Sequence, residues 1–265
     1  MPSAKDIVVK PISSRDANAL VDKHHYSGAH CSNSQLHFGV FLDDRAEGAM
    51  SFGPPMDKSK VIGLVRDTRW SGFLELNRMA FSAALPRNSE SRAIAVALRM
   101  IRKHYPHVEW VISFADATQC GDGAIYRASG FVLTGIKPNT TILEFPDGYR
   151  ATSLVLTNNK RPKRREVAKR YGIKVGNDAS LSPFLAAGAK RVPGYQLRYI
   201  YFLNQAAKHR LTVQEVPFSK IAEMDAGMYL GKPRAGSKAN VAPPDQGGGD
   251  GVTPIPALQP SEQAG

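Results

Sequence analysis

The sequence predicts a mixed α/β (α+β) fold: a central, mostly antiparallel sheet flanked by helices, followed by a basic extension and a tail. Apolar residues recur with the period of strands in several segments and with the period of a helix over residues 89–103. The apolar run Val108–Ile112 leads through a polar, glycine-rich loop into a short helix that ends at Gly130. From Gly231 onward the chain is rich in Gly, Pro, Ala, Gln and Ser, which predicts disorder.

Strands are predicted where short apolar or alternating segments are bounded by turn residues. The pair Asp43-Asp44 joins the second and third strands as a hairpin, and the seventh and eighth form a last hairpin. In chain order the predicted strands are Asp6–Ile12, Leu36–Leu42, Gly48–Phe52, Phe73–Phe81, Val108–Phe114, Phe131–Ile136, Ile142–Phe145, Ser153–Leu156 and Gln196–Leu203.

Two helices are predicted from their capping residues. Ser13 and Asp16 resemble a capping box at the start of the first helix. The second begins at Ser89 or Ser91 and runs to Lys103, with apolar residues on one face and a strip of alanines for close packing.

Domain organisation follows from composition. Residues 1–157 are predicted to form the main domain, 158–230 an extension of basic helix plus strand packed on it, and 231–265 a disordered tail. No apolar run reaches the roughly 18 residues of a membrane span, and the N-terminus lacks the pattern of a signal peptide. With two cysteines in the chain, we expect a cytoplasmic protein without a membrane partner.

The net charge of +12 is clustered. Between Lys160 and Lys174 there are eight Lys or Arg residues and one acid, and the window 190–210 has five basic residues and no acid. Such clustering is typical of a surface that binds nucleic acid, although a solvated basic helix is the alternative. The predicted phosphate contacts are Lys160, Arg161, Lys163, Arg164, Arg165, Lys169 and Arg170.

The order of elements, from the first strand to the last hairpin, resembles the GNAT acyltransferase family. In that family a β-bulge splays the central strands, and the pantetheine of CoA enters between them. The resemblance implies that Tyr126 occupies the position of a general acid for the leaving thiolate.

The same resemblance places the CoA pyrophosphate at the start of the second helix. The glycines usual there are missing, so close backbone approach is harder, but helix N–H groups, hydroxyls and arginines still attract phosphate. A plain capped helix is the alternative. The implied cofactor-binding residues are Arg87, Asn88, Ser89, Ser91 and Arg92.

A closer resemblance covers residues 10–215. It is carried, as a set, by Lys23–Gly28, Asn33–Val40, Glu75–Phe81, Arg87–Arg92 and Ser113–Asp116. These segments are similar to the Mom family of bacteriophage DNA-modification proteins. The resemblance implies N6-carbamoylmethylation of adenine in duplex DNA, which shields phage DNA from host restriction, with acetyl-CoA and iron as cofactors.

Three oxygen and nitrogen donors, His25, Tyr26 and Asp116, suit Fe(II) with open coordination positions and form the predicted metal site. Ordinary roles remain open for them: a helix-end histidine, a core or stacking aromatic, and a turn carboxylate. The predicted catalytic residues are Asp116, Tyr126, Tyr26, Arg78 and Ser113. Arg78 lies in mid-strand and needs a partner, for which Glu75, Asp116 or a phosphate are candidates.

Two other functions remain open at this point. One is a conventional acetyl-CoA-dependent N-acetyltransferase, which has no need of a metal or of basic clusters. The other is a non-catalytic DNA-binding antirestriction protein, which would function without Asp116. Neither the group donor nor the source of the amide nitrogen follows from the sequence, and plain acyl transfer would join the group through its carbonyl carbon rather than its methylene.

Overall fold

The computed structural model of the chain describes residues 2–118, 121–229 and 232–233. Eight strands form one mixed sheet, and a separate two-stranded hairpin follows them. The strands are β1 (Val8–Pro11), β2 (Leu36–Leu42), β3 (Arg45–Gly53), β4 (Phe73–Phe81), β5 (Trp110–Asp116), β6 (Val132–Glu144), β7 (Arg150–Thr152), β8 (Lys190–Phe202), β9 (Met228–Tyr229) and β10 (Lys232–Pro233).

Nine helices lie among the described residues, and most are short. They are α1 (Ser14–His24), α2 (Lys58–Ile62), α3 (Ser89–His104), α4 (Ala124–Ala128), α5 (Ser153–Leu156), α6 (Pro162–Arg170), α7 (Ser182–Ala186), α8 (Gln205–Lys208) and α9 (Ser219–Glu223). The predicted capping interaction at α1 is confirmed, because the Ser13 side chain accepts a hydrogen bond from the Asp16 N–H. The apolar face of α3 is buried against the sheet, as the 3.6-residue period predicts.

The sheet parts in its middle. Its order is β1-β2-β3-β4-β5-β8-β6-β7, and β4 with β5 is the parallel pair. That pairing ends at Glu75 opposite Ile112, although both strands continue beyond it. Asn77 is an extra residue in β4, where the register with β3 shifts. The bulge and the splay that the first resemblance implies are therefore both present, and the predicted fold class is confirmed.

The strand β8 lies between β5 and β6 and pairs with both of them in antiparallel fashion. It comes from the segment 158–230, for which composition predicts an extension packed on the main domain. Side chains on both faces of β8 are buried in the core. This part of the segment is therefore integral to the sheet formed by the first 157 residues.

A smaller core lies beyond β6. Leu143, Phe145, Leu156, Val167 and Phe184 pack together there, and the Phe145 ring stacks on Tyr171 at 4.1 Å between ring centroids. The predicted final hairpin is wrong in its second strand. Residues 150–152 pair with β6, and 153–156 form the one-turn helix α5 instead.

The predicted disordered tail lies outside the described residues, apart from the short strand β10 at 232–233. Cys120 also lies outside them. Within the described ranges no helix is both long and apolar enough to cross a membrane.

Candidate active site

A cleft of about 490 Å³ opens where β4 and β5 part. Its walls come from segments that are distant in sequence and are brought together by the splayed sheet. They include residues 25–27 after α1, 75–79 of β4, 114–116 of β5, 121–126 around α4, and several side chains between 152 and 161. A concave, mostly apolar space of this kind is the usual form of a small-molecule site.

The β4 wall carries Glu75 at the point where the parallel pairing ends. Burial raises the pKa of the Glu75 carboxyl to about 7, and the positive charge of Arg78 and a hydrogen bond from Asn77 offset this effect only in part. A carboxyl with a pKa near 7 can accept a proton at neutral pH. From the sequence, Glu75 is predicted only as a partner for Arg78. An acidic residue between Leu74 and Leu76 in mid-strand is the signal that could have identified it.

Arg78 also lines the cleft, where it holds the chain that follows α1. Its Nε donates to the Ala29 carbonyl at 2.9 Å, and its Nη1 donates to the Asn77 carbonyl at 2.6 Å. The guanidinium thus links β4 to the loop after Tyr26. Its predicted catalytic role stays a prediction.

The end of β5 separates two predicted catalytic residues. Asp116 lines the cleft, and its Oδ1 accepts hydrogen bonds from the Thr118 N–H at 2.9 Å and from Asn139 Nδ2 at 3.2 Å. Ser113 does not line it: the side chain is buried, with its hydroxyl directed to the Leu76 carbonyl at 3.5 Å. A hydroxyl buried inside the sheet is not presented to a ligand in the cleft, so the prediction of a catalytic role for Ser113 is wrong.

His25 and Tyr26 reach the cleft from the end of α1, and their rings lie 4.3 Å apart. The His25 Nδ1 lies 2.7 Å from the Ser27 hydroxyl. Burial, with a smaller contribution from the charge of Arg78, lowers the pKa of His25 to about 3. The imidazole is therefore neutral at physiological pH, which is the form that binds a metal ion.

Of the three residues of the predicted metal site, His25 and Asp116 are of types that commonly bind metal ions in proteins. Within the described residues, no three His, Cys, Asp or Glu side chains converge closely enough to hold a metal ion. These side chains alone therefore do not fit a metal centre. His25, Tyr26 and Asp116 do line one cleft, so a site that uses the Tyr26 phenolate stays a prediction.

Tyr126 lies on α4, is buried, and lines the cleft. Its ring packs against Tyr199 and Phe131 at centroid distances of 5.2 and 5.4 Å. The turn before α4 requires glycine at 123, where φ is +79° and a Cβ would meet the Tyr199 ring at 2.4 Å. The position agrees with that expected of a general acid, and the role itself stays a prediction.

The N-terminus of α3 offers part of the predicted phosphate site. Asn88 adopts a left-handed conformation, with φ of 70°, directly before the first turn of the helix. Arg87 and Arg92 are exposed, and Ser91 donates to the Asn88 carbonyl at 3.2 Å. The prediction for the Ser89 side chain is wrong, since this hydroxyl is completely buried and is not presented to a ligand.

The basic segment divides into structural and exposed residues. Arg164 is buried, and its guanidinium donates to the carbonyls of Leu156, Gly176 and Asp178 at 2.7, 3.0 and 2.8 Å. Its predicted phosphate contact is therefore wrong. Arg170 forms an ion pair with Asp147 at 2.7 Å, and its side chain is about half exposed to solvent.

The other basic residues of this segment remain candidates for contact with a polyanion. Arg161 lines the cleft, so the start of α6 lies at the cleft mouth. Lys163 is half exposed and lies 3.7 Å from Glu166. The exposed ones are Lys160, Arg165 and Lys169.

Comparison with known proteins identifies relatives of this chain. The Mom protein family matches residues 6–220. The methylcarbamoylase Mom of Escherichia phage Mu is 36% identical over 215 residues, which are 80% of this chain and 81% of that protein.

Two solved structures are similar at low identity. The ribosomal-protein-S18-alanine N-acetyltransferase of Escherichia coli has a TM-score of 0.40 and 10% identity, over 75% of this chain and 94% of its own. The spermidine/spermine N-acetyltransferase SpeG of Vibrio cholerae, in complex with manganese ions, has a TM-score of 0.41 and 8% identity, over 78% and 98%.

Proposed function

The chain belongs to the Mom protein family, and from this premise we propose that it is a DNA-modifying transferase. It adds a carbamoylmethyl group to N6 of adenine in duplex DNA. The observation that carries the proposal is the 36% identity to a methylcarbamoylase over four-fifths of both chains.

The cleft supplies groups suited to a reaction at an exocyclic amine. Adenine N6 is a poor nucleophile, because its lone pair is delocalised into the ring, and it must lose a proton as the new bond to carbon forms. Glu75, with a pKa near 7, is the group that we assign to take this proton. Arg78 holds the loop that presents His25 and Tyr26, so it positions the opposite wall of the cleft.

We propose that an acyl-CoA binds in the opening between β4 and β5, with its phosphates at the N-terminus of α3. The left-handed Asn88 and the exposed Arg87 and Arg92 support a phosphate site there, and the backbone N–H groups of the first helical turn add to it. When bound, the cofactor would supply the carbon atoms of the transferred group, held as a thioester. The proposed protein groups are therefore Arg87, Asn88, Ser91 and Arg92 for the phosphates and Tyr126 for the end of the pantetheine.

Fe(II) belongs to the proposal only as the ion that His25, Tyr26 and Asp116 would hold. All three line the cleft, and the neutral imidazole of His25 is competent as a ligand. No proton transfer assigned above depends on it. Metal content of the purified protein and of an Asp116→Ala variant tests this part separately from activity.

Expression of the chain in a bacterial host is expected to convert part of the DNA adenine to the N6-carbamoylmethyl form. Mass spectrometry of digested nucleosides measures this directly. The same host without the gene is the control for background modification. Plainly acetylated adenine would replace the proposal by an ordinary acetyltransferase function, and adenine left unmodified alongside tight DNA binding would favour a non-catalytic DNA-binding protein.

Duplex DNA is expected to lie along the exposed part of α6. Replacing Lys160, Arg165 or Lys169 with alanine should flatten the plot of log affinity against log salt by about 0.9 for each phosphate that the protein no longer neutralises. Fluorescence anisotropy across a salt series measures the slope. Arg15→Ala, at an exposed arginine in the first turn of α1, serves as the control. Unchanged slopes in all three variants would place the DNA elsewhere.

A further inference from the structure

Exposed apolar side chains stand at the cleft. Among the described residues, Tyr26, Met56 and Leu154 are large apolar side chains that both line the cleft and remain 51%, 80% and 59% exposed. Met56 and Leu154 have no part in the proton transfer or in the cofactor site proposed above. Large apolar side chains that are exposed around one cleft are candidates for contact with a partner.

Met56 is exposed on a backbone that is fixed on both sides. It follows Pro54 and Pro55, whose rings restrict the chain. The Pro54 carbonyl accepts hydrogen bonds from Asn33 at 3.0 Å and from Asn77 at 3.4 Å, so this turn is tied to the bulge of β4. On the other side, Asp57 caps α2. The exposed thioether is therefore not the tip of a loose loop.

Leu154 is presented in a similar way by α5. Thr152 caps this helix by accepting a hydrogen bond from the Val155 N–H at 3.2 Å. Val155 and Leu156 are both buried, so two of the four helical side chains anchor the turn. Leu154 is left on the outer side, at 59% exposure.

The two side chains come from different sides of the cleft. Met56 follows β3, the neighbour of β4, whereas Leu154 follows β7 at the far edge of the sheet. A basic group accompanies each of them: Lys58 follows Met56, where Lys60 is paired with Asp57 at 2.7 Å, and Arg161 shares the cleft lining with Leu154. Apolar tips flanked by positive charge are complementary to a base stack between two phosphate backbones.

We propose that Leu154 and Met56 are wedges that enter the base stack of duplex DNA and fill the space left by an adenine turned out into the cleft. The inference rests on the proposed function, which makes duplex DNA the occupant of this surface. A base inside the duplex is out of reach of Glu75, and extruding it costs a few kcal/mol in lost stacking and pairing. Leucine and methionine are among the side chains that proteins insert between bases for this purpose.

The wedges can be tested by an assay that needs no chemistry. Duplexes carry 2-aminopurine in place of one adenine, in a set that covers every pair of neighbouring bases, and its fluorescence rises when the base leaves the stack. Saturating wild-type protein is expected to raise the signal in at least one context. Leu154→Ala and Met56→Ala should each lower that rise several-fold, and the double variant should abolish it. Val8→Ala, which truncates a 56% exposed side chain on β1, should leave it unchanged.

A second measurement separates a wedge from a merely structural role. Single-turnover modification is compared on a fully paired duplex and on the same duplex with an abasic site opposite the adenine. The Leu154→Ala rate should fall about tenfold on the paired duplex, which corresponds to about 1.4 kcal/mol. It should return to within about twofold of wild type where the adenine is unpaired and little extrusion is needed.

Each outcome decides the matter. Equal reductions on paired and unpaired substrates would show that these side chains shape the cleft and are not wedges. A wild-type protein that produces no fluorescence rise, or variants that match it, would also overturn the proposal. A different result would contradict the proposed function: normal extrusion of adenine together with no modified nucleoside in the digest.

Discussion

Replacing Glu75 with glutamine is expected to lower the rate of adenine modification by about 100-fold or more, the usual contribution of a general base. Glutamine keeps the size of the side chain and its hydrogen-bonding capacity but cannot take the N6 proton. Single-turnover rates on duplex DNA measure the effect. Glu223→Gln, at an exposed glutamate on α9, is the control and should match wild type.

The pH dependence identifies the role more specifically. Wild-type activity should rise as pH increases through about 7, where the Glu75 carboxyl loses its proton, and the glutamine variant should lose this rise. Stability should change in the opposite direction. The folded pKa lies above the ordinary value of 4.5, so stability that is present at acid pH is lost as pH rises toward 7.

Thermal melting checks this sign. The Glu75→Gln variant should melt higher than wild type above pH 7, and the difference should vanish toward pH 4. A variant with normal activity, or one whose rate still rises through pH 7, would remove Glu75 from the reaction and leave the carboxyl as a buried structural group.

Replacing Arg164 with alanine is expected to destabilise the protein by about 3 kcal/mol or more, because three carbonyl groups, that of Leu156 buried and the other two partly buried, lose a charged donor at once. These carbonyls belong to Leu156, Gly176 and Asp178, so one guanidinium connects α5 to the loop that follows α6. Urea denaturation measures the change in stability. Hydrogen exchange should locate it in the small core around Phe145 and Phe184.

The adjacent Arg165 provides a matched control. It is exposed, so Arg165→Ala should change stability by less than about 0.5 kcal/mol while weakening DNA binding. The two variants should therefore have opposite profiles: one loses stability and keeps its salt slope, and the other keeps stability and has a flatter slope. If Arg164→Ala were stable and showed the flatter slope, the phosphate contact predicted from sequence would be right after all.

Much of the fold can be predicted from patterns in the sequence. The strands Leu36–Leu42 and Phe73–Phe81 have the bounds predicted from their apolar pattern, and α3 agrees within a residue at its end. The prediction for residues 153–156 fails for a physical reason. Their β-branched and apolar side chains favour a strand, but the Thr152 cap and the burial of Val155 and Leu156 hold a helical turn.

The candidate site can be predicted from sequence where the chemistry of a residue follows from its type alone. His25, Asp116 and Tyr126 are identified from sequence, and all line the cleft. Glu75 escapes identification as a proton acceptor because its pKa depends on burial, which no local pattern states. The prediction for Arg164 fails because charge density does not distinguish a side chain that faces water from one that faces three carbonyls.

The insertion of β8 between β5 and β6 has a consequence for how the chain folds during synthesis. Until residues 190–202 leave the ribosome, β5 can pair only with the short parallel segment of β4, and its other edge presents unpaired backbone groups. The centre of the sheet therefore closes late, through contacts between segments far apart in sequence, which is a slow step for any chain. Nascent protein shorter than this should depend on chaperones, and a C-terminal truncation that removes β8 should yield aggregate in place of a smaller enzyme.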